Sequence, residues 1–221
     1  VKKKDSSSLG GKLLPHLPGF QVKGALIFAE PIGHVLRGIG FDSSGHDARS
    51  FYIHVFFQPL CVPHELIHWT MGFRLTDMSN HDVWSSEGPD LVADLGKAIV
   101  SKACPFLDRV STLEGAAREA EVMGSSNSHV SEAAAYCWAL AGDARRAMSR
   151  LENLCNRLSR SANRGIPWQV EQLQRVEQLR KLLCDDPAVA RKQLLTWEAE
   201  TTRKIGLVTD PSRISEQDRK S

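Results

Sequence analysis

The 221-residue chain is long enough for one or two domains with a sizeable core, and 42% hydrophobic with 24% charged residues excludes wholesale disorder. Twenty-eight Lys and Arg against 26 Asp and Glu leave a net charge of +2, which removes the electrostatic case for a nucleic-acid or membrane-surface protein. Five cysteines, Cys61, Cys104, Cys137, Cys155 and Cys184, form no CxxC pair and read as reduced thiols rather than a disulfide framework or zinc ribbon.

The chain opens on a basic and then polar stretch, Val1 to Ser8, with no apolar run behind it, so residues 1–11 are expected to be a flexible leader. The longest mostly apolar run, Ala133 to Ala141, falls far short of the ~20 residues that span a bilayer, and a cytoplasmic location is expected. Residues 12–110 read as an α+β sheet domain. Val22, Leu26 and Phe28 alternate around Gly24 in one predicted strand, and Val35, Ile39 and Phe41 in a second. Phe51, Ile53, Val55 and Phe57 give the cleanest period-two run, ended by Pro59. Ile67, Trp69, Met71 and Phe73 alternate likewise and predict a fourth strand. Short connections favour a four-stranded antiparallel meander between residues 20 and 77, with both of those last two runs in its core.

The period changes after Gly88. Leu91, Leu95, Ala98 and Ile99 mark a helix running to Pro105, and Ser111-Thr112-Leu113-Glu114 reads as a capping box opening the next. The region 111–203 is expected to be helical, bringing the total to about five helices. Within it Gly142 is a natural residue to end one helix, and Asp143 and Asp186 are natural caps for two others. The stretch from Ser159 to Ile166 reads as a linker, and residues 204–221 as a flexible tail.

His64-Glu65-Leu66-Ile67-His68 matches the HExxH pattern of zinc metallopeptidases. On a helix His64 and His68 would fall one turn apart as zinc ligands, with Glu65 as the base that activates metal-bound water. The unbroken alternation from Ile67 to Leu75 argues against that helix. In a strand the two histidines share a face but stand ~13 Å apart, too far for one metal. His81 and Glu87 are the nearest candidates for a further ligand. His34, His46 and His54 are scattered and accompany no nucleophile motif. Gly38 and Gly40 sit in a strand and read as close-packing or bulge positions, and Arg37 and Arg74 as salt-bridged strand residues. No catalytic residue or cofactor is therefore expected, with a zinc hydrolase using His64, Glu65 and His68 as the alternative.

The run Phe51-Tyr52-Ile53-His54-Val55-Phe56-Phe57-Gln58-Pro59-Leu60, the Val62-Pro63 turn and Gly72-Phe73-Arg74-Leu75 make residues 12–110 similar to small uncharacterised bacterial α+β domains. That resemblance implies an immunity or defence-accessory role and carries over no functional residue. The hairpin from Ala134 to Leu158 resembles that of a tetratricopeptide-type repeat over about 25 residues. The expectation is a non-enzymatic protein-binding protein whose partner is another protein or a second copy of itself. Its contact surface is placed on residues 167–203, with Trp168 and Trp197 as anchors and Arg175 and Arg180 beside them. The open sheet face around His54 and Arg74 is the alternative surface.

Overall fold

The computed structural model describes residues 3–45, 47, 49–124, 126–162 and 165–207, so His46, most of the expected tail and part of the expected linker lie outside it. Described residues divide into two compact units. The sheet unit holds residues 3–58 and 68–111, and the helical unit holds 59–67 and 112–207.

The sheet unit carries an antiparallel sheet of six strands, not four: β1 (Phe20–Lys23), β2 (Leu26–Ala29), β3 (Val35–Ser43), β4 (Ser50–Pro59), β5 (Gly72–Arg74) and β6 (Trp84–Ser85). The expected strand from Val22 to Phe28 is a hairpin instead. Gly24 takes a φ of 63°, which a residue with a Cβ resists, and the chain reverses so that Val22 faces Ile27. The order is β1-β2-β3-β4-β5, with β5 pairing residues 54–56 of β4 and β6 pairing Ser50 and Phe51. Phe51, Ile53, Val55 and Phe57 are fully buried, as their alternation requires.

The predicted fourth strand is mostly absent. Residues 60–71 form neither helix nor strand, and the ladder is confined to Gly72–Arg74 with the flanking Met71 carbonyl and Leu75 N–H, which bond to Phe57 and Ile53. The alternation of exposure nevertheless survives: Met71 is buried and Ile67, Trp69 and Phe73 half-buried, while His68, Thr70 and Arg74 are exposed. The alternating residues do not share one face, however: Phe73 sits opposite Val55, whereas Trp69 stacks on His54, on the other side of the sheet. Pro63 supplies no donor, and the His68 N–H is taken by the Gln58 side chain at 2.8 Å.

The leader expected over residues 1–11 is helical from its third residue. Helix α1 (Lys3–Leu13) sets Gly10 against Val22 and Ile27 of the first hairpin. Helix α2 (Leu91–Ala98), a π-helical turn over Ile99–Ala103 and α3 (Cys104–Arg109) run on as one rod through Pro105. The wider turn accommodates the donor that Pro105 lacks and the bulk of its ring. Phe106 of that rod packs on Phe57, with ring centres 5.9 Å apart.

The helical unit contains α4 (Leu113–Met123), α5 (Ser128–Leu140), α6 (Ala144–Ala162), α7 (Pro167–Asp185) and α8 (Pro187–Lys204). With the continuous rod counted once, the described residues hold seven helices rather than five. The cap of α4 is Thr112, whose hydroxyl accepts from the Gly115 N–H, and not Ser111 of the expected box. Gly142 ends α5 at a φ of 90°, and Asp143 and Asp186 cap α6 and α8. Helix α6 continues to Ala162, through much of the expected linker.

Candidate functional site

Helix α5 is the axis of the helical unit, buried on every side from Glu132 to Leu140. Its run of alanines lets α4 and α6 approach closely, since small side chains bring backbones together. The exception is Glu132, a carboxylate at 0% exposure. It accepts from Gln172 Nε2 at 2.7 Å and from Arg175 Nε and Nη2 at 3.3 and 3.4 Å. Burial works against the Arg175 charge, but the charge and hydrogen bonds of Glu132 outweigh it and hold the guanidinium above its ordinary value. One turn on, Tyr136 stacks on Trp197 at 5.5 Å, and burial followed by the Glu132 charge pushes its hydroxyl well above the usual phenol range. Cys61 and Cys137 share a thiol hydrogen bond, which with burial pushes the Cys61 thiol up, so Cys61 behaves as an inert packing group.

The outer side of the same helix, with α4 and α6, encloses a cleft of about 310 Å³. Arg150, Asn153, Leu154 and Arg157 line it from α6, spaced so that they share one stripe. Ser131 and Ala134 come from α5, and Ala120 and Glu121 from α4. Glu121 Oε1 accepts from Arg150 Nε at 2.8 Å and from Trp138 Nε1 at 2.9 Å. Arg157 Nη2 donates to Ser131 Oγ at 2.8 Å, and burial pushes its guanidinium below the ordinary value. In the first turn of α5, next to Ser131, His129 stacks on Trp168 at 5.2 Å and lies 6.1 Å from the His64 ring.

The four residues expected at a partner surface separate into two pairs. Trp197 is 8% exposed and Arg175 is bound to Glu132, so both are engaged inside their own unit. Trp168 is 46% exposed, and Arg180 is exposed as well. The HExxH residues do not form a helix. His64 N–H meets Thr201 Oγ1 at 3.4 Å, Glu65 accepts from Lys204 Nζ at 3.2 Å, and His68 belongs to the sheet unit. Among the described residues no three His, Cys, Asp or Glu side chains stand together as metal ligands would. His81 pairs with Asp77 and Glu87 with Arg49. Among the described residues no helix is long and apolar enough to cross a membrane.

The alternative surface on the sheet is built around His54, which stacks on Trp69 at 4.6 Å and stands 3.8 Å from Asp42. Arg74 lies 4.1 Å above the Tyr52 ring and pairs with Asp82 at 3.2 Å. Arg37 donates to the Leu107 carbonyl and faces Asp108 at 3.8 Å. Both strand arginines are thus held by partners within the sheet unit.

No family model, curated protein or solved structure matches the chain. Sequence reasoning missed Glu132 and the cleft stripe Arg150, Asn153 and Arg157. The signal for Glu132 was a carboxylate standing alone at the head of an apolar helix. The stripe carried no such mark, since polar residues at helical spacing usually form a solvated face.

Proposed function

We infer that the chain is a non-enzymatic protein-binding protein, of the immunity or accessory-subunit kind, and that its helical unit carries the contact surface. The observation behind this reading is Trp168. The unit buries Tyr136, Trp138 and Trp197 but leaves Trp168 46% exposed, stacked on His129 and so presented in a fixed orientation. An exposed, pre-oriented Trp offers large contact area at small entropic cost and is enriched among interface anchors. Arg180, farther along α7, is a second exposed group. The partner is another protein or a second copy of the chain.

Deleting residues 164–221 would be a poor test. It strips Gln172 and Arg175 from a buried carboxylate and Trp197 from Tyr136. Point variants of the full chain are cleaner. Peptides are selected from a displayed library on the immobilised chain, and self-association is followed by light scattering. Trp168→Ala should weaken the selected binding, or the self-association, about tenfold or more with the melting temperature unchanged. Absence of both kinds of binding, or binding indifferent to Trp168→Ala and Arg180→Ala, overturns the reading.

A further inference from the structure

The cleft between α4, α5 and α6 has a chemical character that the exposed tryptophan alone does not specify. Two guanidiniums, a carboxamide and a hydroxyl line it against one carboxylate, which leaves one positive charge over the lining. Glu121 is occupied by Arg150 and Trp138 through a single oxygen, so the one carboxylate of the lining is already fixed to one wall. Ala120, Gly124 and Ala134 contribute no bulk, which is why the space exists.

We propose that this cleft receives a single carboxylate side chain, Glu or Asp, from an acidic segment of the partner protein, with Arg157, Arg150 and Asn153 as its recognition groups. The inference rests on the protein-binding reading above. The net positive charge of the lining favours an anion, and the planar fork of a guanidinium together with the small space favours a carboxylate over a tetrahedral phosphate. A guanidinium presents a planar fork of donors that fits carboxylate geometry, and the Asn153 amide adds a neutral donor. The volume, about 310 Å³, sits at the lower end of ligand sites, which suits one side chain better than a cofactor. A charge pair in a solvent-reached cleft gives little affinity by itself, so the carboxylate must arrive on a chain with other contacts. Trp168 is placed to supply one, since His129, on which it stacks, lies two residues before Ser131 of the cleft.

The probes are the capped peptides acetyl-(Glu)6-amide and acetyl-(Gln)6-amide and inorganic phosphate, each titrated into the full-length chain at matched ionic strength. The readout is the Nε–H resonances of Arg150 and Arg157. The glutamate peptide should shift both saturably and bind about tenfold or more tighter than either control. Asn153→Asp, an exposed change that disturbs no buried bond, should weaken it by a similar factor, and Asn153→Lys should tighten it. Arg157→Gln should abolish the shift at Arg150. No saturable shift, or indifference to Asn153→Asp, overturns the assignment, and phosphate binding as tight as the peptide's shows a small-anion site instead. The two readings fail differently. Library peptides held through Trp168 without any response at Arg157 sink the cleft alone. Glutamate binding in the cleft with no protein ligand and no self-association sinks the protein-binding function.

Discussion

The sheet unit and the helical unit handle charge in opposite ways. In the sheet unit charged groups stay near the rim: Arg37 reaches Asp108, and Arg74 crosses Tyr52 to Asp82. In the helical unit a carboxylate lies at full burial on the central helix, and two residues of α7 converge on it. Apolar alternation suffices to align strands, because a one-residue slip exposes a whole face. Helices packed through alanine have no comparable penalty for sliding, and the Glu132 network ties α7, which packs on α6, to one point of α5. The largest expected effect follows. Glu132→Ala leaves Arg175 half-buried without its carboxylate and should cost about 3–5 kcal/mol in urea unfolding. Replacing Glu132 and Arg175 together by methionine should cost much less than the sum of the single changes. Equal and additive losses would mean that the network sets nothing.

The sheet unit has its own tight point, an apolar one. A Cβ at Gly40 would stand 2.7 Å from the Trp69 indole. Gly40→Ala should therefore destabilise by about 1–3 kcal/mol, and the loss should shrink in a Trp69→Leu background, where the ring no longer blocks the methyl group. A double-mutant cycle by thermal unfolding measures the coupling. If Gly40→Ala costs the same in both backgrounds, the glycine serves the strand and not the ring.

The two units also differ in how much of them was legible. The antiparallel sheet could be read because Phe51 to Phe57 keep one parity, but the same parity at Ile67, Trp69 and Met71 misled: only Met71 is buried, and Trp69 stacks on His54, on the face that His54 shares with Arg74 and not with Phe73. Nor could it tell that residues 60–70 lack a ladder, because a side chain's burial and its backbone's hydrogen bond are set by different neighbours. The reversal at Gly24 hid because Val22 and Phe28 share the parity of one straight strand, whereas in the hairpin Val22 pairs with Ile27 and Phe28 with Gln21, on opposite faces. In the helical unit caps were the legible part, because Asp143 and Asp186 act through their own backbone neighbourhood. The Glu132 contacts span 40 and 43 residues, and the cleft needs three helices at once, so neither exists in any local window.

The legible kind of feature has a modest expected effect. Asp186 accepts from the N–H groups of Ala188 and Val189 at 2.8 and 3.4 Å. Asp186→Ala should cost about 1 kcal/mol and Asp186→Asn far less, since the amide oxygen still accepts. Hydrogen exchange at residues 188–190 should rise in the alanine variant. Unchanged exchange there would show that α8 is held by packing alone.

The smallest expected effect belongs to the sheet unit and depends on pH. The His54 ring is stacked on Trp69 and mostly covered. Burial, and then the Arg74 charge, push it below its ordinary value of 6.5, while Asp42 opposes them. The folded protein therefore binds the proton less readily than the unfolded chain does. The contribution is fully present above pH 6.5 and is lost as the pH falls through the lower folded value. Between about pH 7.5 and 5.5 the wild-type melting temperature should fall more than that of His54→Phe, which keeps the stack without the titration. Arg74→Gln should flatten the fall by relieving one repulsion, and Asp42→Asn should steepen it by removing the only attraction among the named causes. Asp47 and Asp77 do not confuse this window, because hydrogen bonds from their own loops hold both below the ordinary 3.8, under the range scanned. Identical slopes in all four proteins would place the acid sensitivity elsewhere, and would mean that the charge around His54 is relaxed by solvent despite its cover.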